Sequence, residues 1–477
     1  MSPPHGRGSD SRPLHAPAAS GGILAVPGFD ALPALVEANR RRLNSSDVRI
    51  GGIPLRELRQ RARSEVGAPS DGPLLLAGHQ PELSHPGVWV KNFALNGLAR
   101  KLRGTPLNLI VDNDTVKSTF LRVPAFANDP ASVHLEQIRF DAIAGEVPYE
   151  GREVVDSDLF RSFPERVGAI AGNWGFEPLL PQVWRQGQNI GELFSAMRQE
   201  CERAWGCESL ELPVSRLTRT EAFRIFAGHI LADLPRFGAS YNAAIRDYRR
   251  RNRVRSANHP APELAPGEAP FWIQGNGRRE RATADSDVCQ LRPRALTLTL
   301  FARLCLGDFF IHGIGGGKYD EVTDAIIRDY FGIEPPAYQV LTATLHLPLP
   351  AFPGTADDVR RLRGIIRDLH WNPQRHLNGA DRSDARALRQ AADRIDLAAD
   401  EPPRSDRRGR REWFHRLREL TAALRPLVQS DVPVAEAALE RAEADARANA
   451  ILQRRDYSWV LFPETVLRPF LQKFLTA

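Results

Sequence analysis

Residues 73–115 contain the pattern that most constrains the fold of this chain. The pattern consists of an apolar strand at 74–77, a polar loop at 79–87, an amphipathic helix at 90–102 and a second apolar strand at 107–111. A strand, a helix and a strand joined by short connections form a βαβ unit, in which the two strands are parallel. The polar turns that follow the strands therefore lie at one edge of a sheet, where open α/β sheets bind ligands.

A second strand–loop–helix pattern begins near residue 308. It predicts a strand at 308–312, a glycine-rich loop at 313–318, a helix at 320–331 and a further strand within 338–347. The loop is not a Walker A motif, because its spacing is one residue short and Tyr319 replaces the hydroxyl residue that holds Mg²⁺. Backbone N–H groups, a helix N-terminus and one ammonium nevertheless favour an anion. We therefore predict a phosphate or carboxylate site at Gly313, Gly315, Gly316, Gly317 and Lys318, with a purely structural turn as the alternative.

Length and composition indicate a globular protein of two or three domains. The chain has 477 residues, of which 42% are hydrophobic and 26% charged, and no apolar run approaches the ~20 residues of a membrane helix. The four cysteines lack metal-type spacing and are typical of reduced thiols, so we expect a cytoplasmic protein. Although the net charge is +6, basic and acidic residues are interleaved outside residues 246–255, which favours solvated surfaces over a nucleic-acid patch.

The chain divides into segments of different composition. We predict a disordered tail at 1–22, an α/β core at 23–355 with an insertion at about 120–290, a helical arm at 356–455, and a C-terminal segment at 456–477 that packs on the core. The helical arm is rich in Ala, Leu, Arg and Glu, which is typical of an antiparallel hairpin or a coiled coil. Such arms commonly mediate self-association, so we expect a homodimer.

His79 and His85 lie in the loop that follows the first strand of the βαβ unit. One interpretation is that both imidazoles only hold the loop together by hydrogen bonds. A second is that they stabilise a phosphoryl group of a bound nucleotide. A third combines them with Asp112 and Asp114 in a site for Zn, Mn or Fe, although no His-x-His or HExxH spacing supports it.

Three further groups of residues are candidates for the same site. Asp112 and Asp114, after the second strand, suit a ribose, an amino group or Mg²⁺, with helix capping as the alternative. Lys91 is one of only five lysines and lies within the βαβ unit. Arg292 and Arg294 flank a proline, which suits a bidentate grip on a carboxylate or phosphate, with structural salt bridges equally expected.

The order of these motifs resembles that of the bacillithiol biosynthesis cysteine-adding enzymes, a family of cysteine ligases. The similar stretches are Gly78-His79-Gln80, Pro86-Gly87, Lys91, Val111-Asp112-Asn113-Asp114 and Gly313 to Asp320. His79 stands where that family has Gln, which brings the loop closer to the histidine signature of class I synthetases. The resemblance implies a Rossmann-like core similar to nucleotidyltransferases, a connecting insertion and a dimerising coiled coil.

The resemblance also implies the ligation of an amino acid, cysteine in that family, to an amine. In the resulting hypothesis, ATP with Mg²⁺ activates the carboxylate, and His79, His85 and Lys318 contact the phosphates. The resemblance adds Gly78 and Gln80 to the nucleotide site and Tyr319 and Asp320 to the substrate site. A metal-dependent hydrolase and a non-enzymatic dimeric scaffold are the alternative functions.

Overall fold

The computed structural model describes residues 14–127, 129–275, 278–377 and 385–477, and it is an α/β structure. These residues form two compact units. The first comprises the described parts of Met1–Val123, Glu136–Pro348 and Arg455–Ala477, and the second comprises those of Pro124–Leu135 and Leu349–Arg454. Every helix in the described ranges is too short or too polar to cross a bilayer.

The strands and helices are numbered in chain order. The strands are β1 (Ile23–Val26), β2 (Arg49–Ile50), β3 (Ile53–Pro54), β4 (Leu74–His79), β5 (Thr105–Ile110), β6 (Phe120–Ala125), β7 (His134–Arg139), β8 (Leu210–Pro213), β9 (Glu268–Gly275), β10 (Arg278–Thr283), β11 (Leu291–Pro293), β12 (Phe309–His312) and β13 (Gln339–Ala343). The helices up to the glycine-rich motif are α1 (Leu32–Asn44), α2 (Leu55–Glu65), α3 (Pro86–Leu102), α4 (Ser157–Arg161), α5 (Phe163–Ala171), α6 (Leu180–Val183), α7 (Ile190–Ala204), α8 (Val214–Leu217), α9 (Glu221–Ala232), α10 (Leu234–Arg251) and α11 (Ala295–Phe301). The remaining helices are α12 (Ile314–Phe331), α13 (Ala356–Trp371), α14 (Ala385–Ala399), α15 (Arg407–Val428), α16 (Asp431–Leu452) and α17 (Glu464–Gln472).

A six-stranded sheet forms the centre of the first unit, in the order β1-β13-β12-β4-β5-β8. All neighbouring strands are parallel except β1, which pairs antiparallel with β13 at the edge. The inner strands are buried on both faces, which explains why their sequences are nearly continuous apolar runs. A separate sheet, β10-β9-β11, covers part of the same unit.

The structure confirms the predicted βαβ unit, because β4 and β5 are parallel and α3 connects them. In the sequence, Gly275-Asn276-Gly277 between residues 271–273 and 281–284 predicts a hairpin, and β9 and β10 do pair antiparallel. Residues 276 and 277 of the predicted turn lie outside the described ranges. The 3.6-residue period of residues 159–252 predicts a mainly helical segment, and this prediction does not include β8. That strand has only four residues, too few for a periodic pattern, and it is defined by its pairing with β5.

The expected glycine-rich loop is wrong in one respect, because these residues are helical. Helix α12 begins at Ile314, so the glycines that follow form its first turn and the helix starts well before Asp320. Glycine costs about 1 kcal/mol relative to alanine inside a helix, and tertiary packing can override that cost. Here Gly317 allows the close approach of α12 to β13, since a Cβ atom at that position would lie 2.3 Å from Val340 Cγ2.

Helices α13 to α16 account for most of the second unit. Helix α13 packs along α16, and α14 packs along α15. The start of α13 is fixed by a capping box in which Thr355 and Asp358 satisfy each other's backbone N–H groups. The sequence pattern predicts the second helix of the arm at 383–399, and its first two residues lie outside the described ranges.

The C-terminal segment of the first unit contacts the loop and helix that follow β4. The backbone N–H of Trp459 donates to the Ser84 carbonyl at 2.9 Å. The ring centres of Trp459 and of Trp89 in α3 lie 4.8 Å apart. Near the other end of the sequence, within the range expected to be a tail, the Gly21 N–H donates to the Thr344 carbonyl at 2.7 Å. The contacts of Trp459 hold the polar loop at Ser84, and the Gly21 contact holds the chain before β1 against the chain after β13.

Candidate functional site

The two polar turns identified in the sequence leave neighbouring parallel strands. Strand β4 ends at His79 and β12 ends at His312, and their register pairs Ala77 with Ile311. Adjacent strands lie about 4.8 Å apart. The loop after β4 and the N-terminus of α12 therefore begin side by side, at the carboxyl edge of the sheet.

His79 is held in one neutral tautomer. Its Nδ1 atom lies 3.1 Å from the carbonyl oxygen of Gln80, and because that oxygen can only accept, Nδ1 carries the proton. Burial, followed by the positive charge of Lys91, lowers the pKa of His79 well below its usual range. The imidazole is therefore neutral at pH 7, with Nε2 as a hydrogen-bond acceptor.

His85 caps helix α3, because its Nδ1 atom accepts a hydrogen bond from the Gly87 N–H at 3.1 Å. Burial, followed by the charge of Arg455, lowers the pKa of His85 to about 4. The structure therefore gives His85 the loop-stabilising contact that was one of its three interpretations, and it is neutral at pH 7. A role for Nε2 toward phosphates stays a prediction.

Lys91 is buried on α3 and points toward the end of β4. Its Nζ atom lies 3.4 Å from the carbonyl oxygen of Gly78. Burial lowers the pKa of Lys91 to about 8, although the charge of Glu82 acts in the opposite direction. Gly78 itself is tightly packed, since a Cβ atom there would lie 3.1 Å from Leu109 Cβ. Lys91 and Gly78 are therefore held by contacts within the protein at the end of β4.

Asp112 is fully engaged by protein groups. Its Oδ1 atom accepts from the Ser215 N–H at 2.9 Å, and its Oδ2 atom accepts from the Ser215 hydroxyl. These bonds tie the end of β5 to the first turn of α8, which follows β8. The contacts of Asp112 therefore fit the helix-capping alternative better than a ligand site. The capped N–H belongs to Ser215, which lies 103 residues further along the chain.

Asp114 connects the loop after β4 to the β9–β10 hairpin. Its Oδ2 atom accepts from Gln80 Nε2 at 2.9 Å, and its Oδ1 atom accepts from Arg279 Nη1 at 3.3 Å. Arg279 also stacks on Trp272, with 5.1 Å between the guanidinium carbon and the ring centre. Sequence reasoning did not identify Arg279, because nothing local relates it to Asp114.

Arg292 and Arg294 form the structural salt bridges that were the alternative to ligand binding. Arg292 makes a bidentate pair with Glu150, with its shortest bond at 2.9 Å. Arg294 donates to Glu268 at 2.6 Å and lies 4.1 Å from the ring centre of Trp272. Their use in substrate binding stays a prediction, and it requires these pairs to open.

The glycines at the start of α12 fall into two classes. Gly316 and Gly317 are needed for packing, because added Cβ atoms would lie 2.9 Å from His312 Nδ1 and 2.3 Å from Val340 Cγ2. Gly313 and Gly315 face open space, and neither has a positive φ. Packing and backbone strain therefore do not explain the absence of side chains at these two positions. The open space beside Gly313 and Gly315 is wide enough for another molecule to approach the backbone.

The first turn of α12 has no side-chain cap, because Gly313 is its N-cap residue. The N–H groups of a first turn have no acceptors within their own helix and carry a partial positive charge. Lys318 begins the second turn, and among the described residues its ammonium has no hydrogen-bonding or acidic partner. The N-terminus of α12 therefore presents unpaired donors, and a cation follows them.

Asp320 is buried against protein cations, not open to a ligand. Its Oδ2 atom lies 2.6 Å from His312 Nε2 and 3.0 Å from Arg303 Nη1. Tyr319 instead faces His259, with 5.9 Å between the ring centres. His312 is a candidate that the sequence analysis missed, although it ends its strand just as His79 ends β4.

A metal site built from His79, His85, Asp112 and Asp114 has no geometric support. Within the described ranges, no group of three or more His, Cys, Asp and Glu side chains is arranged to hold a metal ion. His85 Nδ1 and both carboxylate oxygens of Asp112 have protein partners. The four residues therefore do not act as one set of ligands in this structure.

A comparison of the chain with protein-family models and with curated proteins finds no match in either case. The strand order, the two turns and their side-chain contacts are therefore the basis for a functional proposal.

Proposed function

We propose that this protein is an ATP-dependent carbon–nitrogen ligase that joins a carboxylate, such as that of an amino acid, to an amine. ATP, with Mg²⁺, would activate the carboxylate as an acyl phosphate, with release of ADP, or as an acyl adenylate, with release of pyrophosphate. The amine nitrogen would then attack the carbonyl carbon, form the C–N bond, lose a proton, and release phosphate or AMP. The motifs that resemble the cysteine-adding ligases support the same class of reaction.

The strand order is the observation on which this proposal depends. Numbered among themselves along the chain, the parallel strands β8-β5-β4-β12-β13 follow the order 3-2-1-4-5. This order is that of doubly wound, Rossmann-like sheets, whose ligands bind where the winding reverses direction. The reversal lies between β4 and β12, and both predicted turns begin there. The proposal of a Rossmann-like core is supported by this correspondence.

The N-terminus of α12 is the proposed phosphate site. Its uncapped N–H groups, the open space at Gly313 and Gly315, and the ammonium of Lys318 together suit a polyphosphate. His79 lies at the end of the adjacent strand, so its neutral Nε2 can accept a proton or hydrogen bond from a reacting group. Catalysis would then depend mainly on positioning and charge, as in other phosphoryl transfers.

Isothermal titration of the full chain with ATP and with a non-hydrolysable ATP analogue, with and without Mg²⁺, tests this proposal. We expect saturable binding that Lys318→Ala weakens about tenfold or more, because it removes a charged contact. The matched control is Lys101→Ala, since Lys101 is exposed at the opposite end of α3. Absence of nucleotide binding under all conditions would contradict the proposal and favour the non-enzymatic scaffold.

We also propose that the second unit forms a coiled-coil arm that mediates dimerisation. Five large apolar side chains among its described residues are exposed: Trp371, Leu388, Ile395, Phe414 and Val434. Leu388 and Ile395 lie seven residues apart on α14. A spacing of seven residues places these two on the same helix face, as in a coiled-coil seam. A second copy of this chain is the partner that such a face suits.

A further inference from the structure

A small cavity lies next to His79 in the first unit, on the side of β5 that faces α3 and α7. Its volume is about 20 Å³, which is enough for one group the size of a water molecule or an ammonium. Its polar lining consists mainly of Gln80, Glu82, Ser84, Asn92, Asn108 and Arg198. The prediction of the site from sequence included only Gln80 from this set.

Three side chains of the lining already donate hydrogen bonds to carboxylates within the protein. Arg198 donates to Glu202 at 2.5 Å and to Glu211 at 2.8 Å. Asn92 Nδ2 and the indole N–H of Trp89 both donate to Glu202, at 2.7 and 2.6 Å. These three donors are therefore unavailable to an anion or another acceptor, and the Ser84 hydroxyl of the lining is a neutral group that can donate or accept.

One hydrogen-bond acceptor of the lining, the side-chain oxygen of Asn108, has no partner within the described residues. Asn108 is only 3% exposed, and its Nδ2 atom donates to Glu211 at 3.2 Å. The Glu211 carboxylate accepts from Arg198, and a carboxylate needs a donor from Asn108 as well. The Asn108 amide is therefore assigned with Nδ2 toward Glu211. Its Oδ1 atom is buried and has no hydrogen-bond partner among the described residues. An unsatisfied buried oxygen is costly, so this atom calls for a donor.

The charges near the cavity favour a cation. Glu82 contributes a carboxylate to the lining, and the single positive charge of Arg198 lies between two further carboxylates outside the lining, Glu202 and Glu211. Lys91 directs its ammonium to the Gly78 carbonyl. A primary ammonium has three N–H donors and no acceptor, which complements both the unpaired acceptor and the negative charge.

We propose that this cavity binds the ammonium group of the amine substrate, with Asn108 Oδ1 and the Glu82 carboxylate as its acceptors. That the amine is a substrate rests on the ligase function proposed above. The cavity lies beside the loop that carries His79, so the amine would lie close to the proposed reaction edge of the sheet.

Binding of ethylammonium to the full chain, without nucleotide, tests the inference. Ethanol, which has a similar size and no charge, is the matched probe, and titrations at constant ionic strength use saturation-transfer NMR. We expect ethylammonium to bind about tenfold more tightly than ethanol, because a charge-assisted hydrogen bond is the stronger contact. Crystals soaked with ethylammonium should show its nitrogen within hydrogen-bond distance of Asn108 Oδ1.

Two variants locate the contact. Asn108→Leu removes the unpaired oxygen at nearly constant volume, and Glu82→Gln removes the charge from a half-exposed side chain that does not hold the core together. Each should weaken ethylammonium binding about tenfold, and the second keeps the test decisive if the first fails to fold. Glu146→Gln, at an exposed position, should leave binding unchanged.

Equal binding of the two probes, no binding of either, or a water molecule alone at Asn108 in the soaked crystals would overturn the inference. The result is independent of the nucleotide titration. Amine binding without ATP binding would refute the ligase and leave the cavity as an ammonium site, whereas ATP binding without amine selectivity would refute only the cavity's role.

Discussion

The Nε2 atom of His312 lies 2.6 Å from the Oδ2 atom of Asp320, and both side chains are buried. The histidine ends β12 and the carboxylate lies on the second turn of α12, so the pair connects the strand to the helix that follows it. Arg303 contacts the same carboxylate at 3.0 Å. The imidazole is therefore held between Asp320 and the first turn of α12, where an added Cβ atom at Gly316 would lie 2.9 Å from His312 Nδ1.

Asp320→Asn should destabilise the protein, because it leaves Arg303 with one fewer carboxylate in a buried network. Breaking a buried ion pair costs about 3–5 kcal/mol, and Asp324 still pairs with Arg303, so we expect about 3 kcal/mol. Urea unfolding at pH 7 measures the loss. The exposed Asp285→Asn is the control and should leave the free energy of unfolding unchanged.

The same variant should change the acid dependence of stability. Burial by itself raises the pKa of Asp320, but the charges of His312 and Arg303 lower it by a larger amount. The net pKa of Asp320 therefore lies below its usual value. A lowered carboxyl pKa contributes stability above its unfolded value, about 3.9, and that stability is lost as the pH falls through the folded pKa. Between pH 5 and pH 2 the wild type should therefore lose more stability than Asp320→Asn. Parallel unfolding curves over this range would show that Asp320 has an ordinary pKa.

The sequence predicted the elements of the site better than its contacts. Local periodicity identified β4, α3 and β5, because each extends over enough residues to show a pattern. Asp112 was interpreted as a ligand because its partner, Ser215, follows β8, a strand too short to predict. His312 was missed because a histidine in an apolar run is ordinarily core, and Asp320 becomes its neighbour only when α12 starts at Ile314. Side-chain partners that depend on strand order are therefore the part that local patterns cannot supply.

Gly315→Ala should separate a structural role of the glycine turn from ligand binding. A Cβ atom at Gly315 meets open space, and alanine favours the helix by about 1 kcal/mol over glycine. We therefore expect unchanged or slightly raised stability together with at least tenfold weaker ATP binding, because the methyl group would occupy the approach to the first-turn N–H groups. Thermal unfolding and calorimetric titration measure the two effects.

Two other glycines are the controls for that experiment. Gly168→Ala, on α5, also meets open space and should alter stability in the same direction without affecting ATP binding. Gly317→Ala should cost about 1–3 kcal/mol, because its Cβ would lie 2.3 Å from Val340 Cγ2. Normal ATP affinity in Gly315→Ala would move the phosphate site away from this turn.

Ile395→Glu should dissociate the proposed dimer. Ile395 is 55% exposed on α14, and a carboxylate at the centre of an apolar contact would be buried without a partner. Analytical ultracentrifugation should then show a monomer for the variant and a dimer for the wild type. Val434→Glu is a similar change at an even more exposed position, on α16, and should leave the dimer intact. A wild-type monomer at high concentration would refute the proposal for the helical unit.

Lys91→Met should stabilise the protein most strongly near neutral pH. Burial lowers the pKa of Lys91 from 10.5 to about 8, so between these values the unfolded chain binds a proton that the folded protein does not. The free energy of unfolding of the wild type should therefore rise with pH over this range, by about 3 kcal/mol. Methionine does not titrate, so the advantage of the variant should be largest at pH 7 and should disappear by about pH 10.5.

Urea unfolding at pH 7, 8.5 and 10 measures this difference, and Lys101→Met, at an exposed position, should show none. A constant offset between Lys91→Met and the wild type would mean that Lys91 keeps an ordinary pKa, and its ammonium would then be stabilised by contacts other than the Gly78 carbonyl.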